Sequence, residues 1–146
     1  MAERRKQLTA AIFVLGSVIA PQFAFAQQYP PIDCTAPQTQ ADMTYCADQD
    51  FQKADDQLNI VYKKAMASQV ALDKQSAEIN PDYVGAVKAL KKAQRAWISY
   101  RDGHCEGVSY EAAGGTMQPM LEAGCKAALT INRIKELREL TEGMGN

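Results

Sequence analysis

Four cysteines, at positions 34, 46, 105 and 125, constrain this 146-residue chain more than any other feature. An even number in a short chain reads as two disulfides if the protein is exported, and as metal ligands or redox thiols if it is not. The spacings contain no Cys-x-x-Cys pair, which removes the usual zinc knuckle and the thioredoxin-type motif. The N-terminus settles the compartment. Arg4, Arg5 and Lys6 precede an apolar run from Leu8 to Ala20, and Ala24-Phe25-Ala26 is a small-x-small cleavage site. Residues 1–26 therefore read as a signal peptide cleaved after Ala26, giving a periplasmic or secreted protein. The sequence before Cys34 is a poor lipobox, and the apolar run is too short for stable membrane insertion.

Cleavage takes three basic residues and one acid, moving the formal charge from −1 to −3. A mildly acidic chain has no broad basic surface for nucleic acid. His104 is the single histidine, so a histidine-rich metal site and most triad chemistry are excluded, and no cofactor motif is present. The expectation is a non-enzymatic protein with no catalytic residue, no metal and no cofactor.

Hydrophobic periodicity points to helices throughout. Residues 27–38, with Pro30, Pro31 and Pro37, form an extended arm. Thr39 and Asp42 make a capping box for a first helix whose face runs Met43, Ala47, Phe51, Ala54, Leu58, Val61 and Ala65. Polar residues from Asp73 to Glu78 predict its end near Val70. Asn80-Pro81 predicts the start of a second helix with Ala86, Leu90, Ala93, Trp97, Tyr100 and His104 on one face, flanked by Val87, Gln94, Arg101 and Cys105. Thr116 is expected to cap a third, with a stripe of Leu121, Cys125, Ala128, Ile131 and Ile134 or Leu137. The fold class is all-α: a small antiparallel bundle of three main helices over 39–142, stapled by two disulfides. Leu58, Leu90 and Trp97 are expected in its core.

A turn centred near residue 75 sets Cys46 level with Cys105, leaving Cys34 for Cys125; the 60-residue loop so closed is worth about 4 kcal/mol. The rival, Cys34 with Cys46 and Cys105 with Cys125, closes two shorter loops worth about 3 kcal/mol each. Both remain open, and antiparallel geometry favours the first.

Several stretches carry a resemblance. Asp33-Cys34, Thr39-Gln40-Ala41-Asp42-Met43, Cys46-Ala47, Ala54-Asp55, Leu58-Asn59 and Tyr62-Lys63 resemble the opening of the LprI-like lysozyme-inhibitor family. Ala93-Gln94-Arg95-Ala96-Trp97-Ile98-Ser99-Tyr100-Arg101-Asp102 with Cys105 is similar to its most recognisable segment. Gly114-Gly115-Thr116-Met117, Cys125 and Leu129-Thr130-x-x-Arg133 are similar to its close. The resemblance implies an exported helical domain acting on lysozyme or another cationic cell-wall hydrolase by protein–protein contact. The alternative is a structural or accessory interaction module of the cell envelope.

Two candidate sites follow. Asp55, Asn59, Gln94, Arg101 and Asp102 can form a polar network, with Asp55 and Arg101 paired and Gln94 and Asn59 satisfying the remaining donors. That network either specifies helix register or faces a ligand. The glycine-rich stretch 103–118, with Glu106, Glu111, Gly114 and Gly115, is the candidate partner loop, being the longest connection expected.

Overall fold

A computed structural model describes residues 31–142; the expected signal peptide and the first residues of the arm lie outside them. Three α-helices, α1 (Gln40–Ile79), α2 (Ala86–Ser109) and α3 (Gln118–Glu142), make the bundle, with single 3₁₀ turns at Pro81–Tyr83 and Tyr110–Ala112. No strand occurs among the described residues. The capping box forms as the sequence predicts: Asp42 donates its backbone N–H to Thr39 Oγ1 at 3.1 Å, and Thr39 donates to the Asp42 carboxylate at 3.0 Å.

α1 does not stop near Val70. It runs nine residues further, through Asp73 to Glu78, and is about 60 Å long at 1.5 Å per residue, against about 36 Å for α2. Asn80 and Pro81 start the 3₁₀ turn, with Asn80 Oδ1 accepting from Asp82 N–H, and α2 begins only after Gly85. Glycine has no side chain to cap with, so Asp73 reaches over from α1. Its carboxylate accepts from the N–H groups of Gly85 and Ala86 at 2.8 Å and of Val87 at 3.1 Å. These backbone donors hold its pKa below the ordinary carboxylate value. Asp33, whose carboxylate accepts from the Thr35 hydroxyl and N–H, is lowered in the same way.

α2 folds back antiparallel to α1, and α3 returns alongside α1. Leu58, Val61, Ala65, Leu90, Ile134 and Leu137 form the core, with Tyr62, Met66 and Trp97 packed at its margin. The faces of α2 and α3 are rotated from expectation. On α2 the buried side chains are Leu90, Gln94, Arg101, Cys105 and Ser109, while Ala93, Tyr100 and His104 are exposed, the last two stacked at 5.4 Å. On α3 they are Ala123, Ala127, Thr130, Ile134 and Leu137, and Ala128 and Ile131 face solvent. The cause is chemical: on α2 the flank carrying the network residues Gln94 and Arg101 is buried in place of the apolar Ala93 and Tyr100, and on α3 the polar Thr130 is buried in place of Ile131, a preference that apolar periodicity does not register. Thr116 caps nothing; the Met117 carbonyl accepts the first helical bond of α3, from Leu121.

The disulfides are Cys34–Cys46 and Cys105–Cys125, each with 5.4 Å between Cα atoms. The favoured pairing, Cys46 with Cys105 and Cys34 with Cys125, is therefore corrected. Cys46 lies nine residues before Asp55, about two and a half helical turns, hence on the opposite side of α1. Because Asp55 faces α2, Cys46 faces away from it and bonds back to the arm.

Candidate functional site

The centre of the bundle is organised by one cation. Arg101 exposes 8% of its side chain and donates from Nη1 to Asp55 Oδ1 and from Nε to Asp102 Oδ1, both at 2.9 Å. Nη1 also reaches Thr130 Oγ1 at 3.4 Å, so α2 contacts both other helices through a single guanidinium. Its flat faces are used as well: the Phe51 ring lies 4.9 Å from the guanidinium carbon and the Trp97 ring 5.2 Å from it. Trp97 in turn carries Arg133 on its ring at 5.8 Å. Phe51, Arg101, Trp97 and Arg133 form an alternating aromatic and cationic ladder, which desolvates the charges without leaving them unpaired.

Of the five expected network residues, Asp55, Arg101 and Asp102 are joined directly. Asn59 donates to Asp55 at 3.3 Å and does not touch Arg101. Gln94 belongs to a second pair, its Oε1 accepting from Arg133 Nε at 3.1 Å, with Arg133 also bound to Glu136 at 2.7 Å. Phe51, Thr130, Arg133 and Glu136 were missing from the sequence-derived set. Thr130 and Arg133 stand in the motif stretch at the chain's close, which was the available signal. Every buried side-chain nitrogen and oxygen among the described residues has a partner. The buried atoms of this cluster are spent on one another, while Asp55 and Asp102 keep 40% and 46% of their side chains exposed at its edge; ties of this kind between helices are suited to fixing register.

The second candidate is the end of the bundle where α2 meets α3. The expected long loop is mostly helix: α2 continues through Gly103, Glu106 and Gly107 to Ser109, and Glu111 sits in the following 3₁₀ turn. The connection proper is short and pinned. Gln118 accepts from Gly114 N–H at 3.0 Å and donates to Ser109 Oγ at 3.3 Å, and Gly115 N–H bonds the Ala112 carbonyl at 2.9 Å. Gly114 has φ +72°, where a side chain is strained, and a Cβ on Gly115 would meet the Ala112 carbonyl oxygen at 3.1 Å. Cys105–Cys125 closes the same end. The result is a rigid turn that exposes Glu106, Glu111, Tyr110 and Met117 together. Among the described residues no group of three or more His, Cys, Asp or Glu could hold a metal ion.

Such a molecule is a disulfide-braced three-helix domain whose buried side-chain polar atoms, among the described residues, all have partners. The chain belongs to the LprI family: the family described as Lysozyme inhibitor LprI matches it over residues 33–137. It is also 50% identical over 119 residues to an uncharacterized protein of Rhizobium meliloti (strain 1021), covering 82% of this chain and 86% of that protein. No solved structure matches.

Proposed function

We propose that the protein is exported and inhibits lysozyme-type cell-wall hydrolases by direct contact, using the pinned α2–α3 turn. Family membership over residues 33–137 carries this proposal. The turn adds physical support. Interfaces favour exposed aromatic and methionine side chains on a preorganised surface, and Tyr110 and Met117 are such residues. Asp102, Glu106 and Glu111 lie within ten residues containing no Lys, so this end is acidic apart from the buried Arg101. A cationic hydrolase approaching it is steered favourably. Two local disulfides suit an oxidising compartment.

The experiment is a turbidity assay with the exported protein, purified with its disulfides intact, and several lysozymes on peptidoglycan. Slowed clearing at stoichiometric excess is the expected result, and unchanged clearing with all of them would sink the proposal. Gly114→Val, which strains the turn and leaves the core alone, should weaken inhibition while the domain still folds.

A further inference from the structure

The opposite end of the molecule has a different chemistry. On the outer face of α2, Lys88, Lys91, Lys92 and Arg95 follow the three- and four-residue spacing of one helix side. All four are exposed, and none has an ion-pair partner among the described residues. The same side continues C-terminally with Asp102 and Glu106. This order opposes the helix macrodipole, which favours acids at the N-terminus and cations at the C-terminus. The pairs Lys88/Lys92 and Lys91/Arg95 also repel across single turns. Helix stability is not served by the arrangement, so a partner for it is the physical alternative.

Next to these cations stands an apolar tip. α3 accompanies α1 as far as Gln69, which lines a groove with Leu137 and Leu140, and α1 continues to Ile79. The overhang brings Ile79 and Tyr83 to 74% and 65% exposure, the two highest values among large hydrophobic residues described, with Val84 beside them. A shallow groove of about 410 Å³, lined by Val84, Val87, Lys88, Lys91 and Arg95 together with Asp73, joins tip to stripe. The Asp73 carboxylate is already occupied by three backbone N–H groups. Between Lys74 and Arg95 the chain holds five cations against two acids, Glu78 and Asp82.

We propose that this end docks peripherally on an anionic phospholipid surface, with Ile79, Tyr83 and Val84 in the headgroup layer and Lys88, Lys91, Lys92 and Arg95 over the lipid phosphates. Apolar residues at a tip flanked by cations are the combination an anionic bilayer interface attracts. Counted from the start of α2 at Ala86, Lys88, Lys91 and Lys92 lie within about 9 Å along the axis, about one Debye length, and Arg95 at about 14 Å, within reach of its long side chain. No helix among the described residues is long and apolar enough to cross a membrane, and none is required. The acidic turn is then held about 36 Å away, one α2 length, facing the space from which a hydrolase would arrive.

Sedimentation of the exported, disulfide-intact protein with phosphatidylcholine vesicles, with and without phosphatidylglycerol, tests this. Binding is expected only to the anionic vesicles and should fall steeply with salt. Replacing all four cations by Gln should lower partitioning by about six hundredfold, given roughly a fivefold loss per charge. Ile79→Ser with Tyr83→Ser should also weaken it, and circular dichroism should show both variants folded, since these side chains are exposed. Absence of binding to anionic vesicles overturns the proposal. So does binding insensitive to the Ile79 and Tyr83 changes, which would assign the stripe to polyanions in general. A concentration-dependent dimer abolished by those two changes, without vesicle binding, would assign the tip to a second copy instead.

Discussion

Arg101 is where the three helices are made to agree. A buried guanidinium contributes little net stability when its pairing only offsets its desolvation, but removing it is costly. The cost here has two separable parts, because Asp55 and Asp102 keep 40% and 46% of their side chains exposed and can rehydrate. What cannot be recovered from water is the packing of the guanidinium between Phe51 and Trp97. Arg101→Ala is therefore expected to destabilise by about 3 kcal/mol, and Arg101→Met, which keeps a long stem between the rings, by about 1 to 2 kcal/mol. Urea titration followed by the fluorescence of Trp97, the single tryptophan, measures both; equal losses would show that charge, not packing, dominates. The Asp55 to Arg101 pair was legible because both residues lie in motif stretches on helices expected to be antiparallel. The partner of Gln94 was not. Arg133 reaches it only through the rotation of α3, which depends on burying Thr130, a preference that hydropathy does not encode.

At the scale of elements, the two disulfides differ in what they hold, though their loops span similar separations of 12 and 20 residues. Chain entropy alone assigns each about 3 kcal/mol. Cys34–Cys46 ties an exposed arm to the first turns of α1, so cutting it releases the arm in the folded state as well as the unfolded one. Cys105–Cys125 joins two helices that are also held together by the Arg101–Thr130 and Gln94–Arg133 hydrogen bonds. Replacing Cys105 and Cys125 by Ser should therefore cost about 3 kcal/mol and replacing Cys34 and Cys46 nearer 1 kcal/mol, read from denaturant midpoints; the reverse order would mean the arm is a structural part of the bundle. The correct pairing was available in principle, since an Asp55 facing α2 forbids a Cys46 that does the same. The helical class and the first cap were legible from periodicity and the Thr39/Asp42 pair. The end of α1 was not, because the polar run after Val70 looks like a break when it is only a helix that has outrun its bundle. Asp73 lies in that run and caps α2, so Asp73→Ala should lower the melting temperature at neutral pH. Its folded pKa is lowered, so its contribution is complete above the ordinary carboxylate value and fades as pH falls through the folded one. The gap between wild type and variant should close in acid, and a pH-independent gap would remove the capping role.

The whole molecule is electrically divided although its net charge is small. Counted over the chain, Lys and Arg nearly balance Asp and Glu, yet the exposed cations of α2 gather in its first half, with only the buried Arg101 beyond, and its acids lie at the other end. Net charge governs solubility, whereas encounter with a charged partner is governed by the end that meets it. Asp102 is held by Arg101, which leaves Glu106 and Glu111 as the carboxylates able to steer a cationic hydrolase toward the pinned turn. If the proposed inhibition holds, Glu106→Gln with Glu111→Gln should slow association about three- to tenfold at low salt, while dissociation changes by less than about twofold. Residues at the rim of an interface act mainly on the approach, and Tyr110 and Met117 would retain the contact once it has formed. Stopped-flow association measured across a salt series separates the two. An association rate and salt dependence unchanged by the double substitution would place the contact elsewhere on the domain, even if inhibition itself were observed.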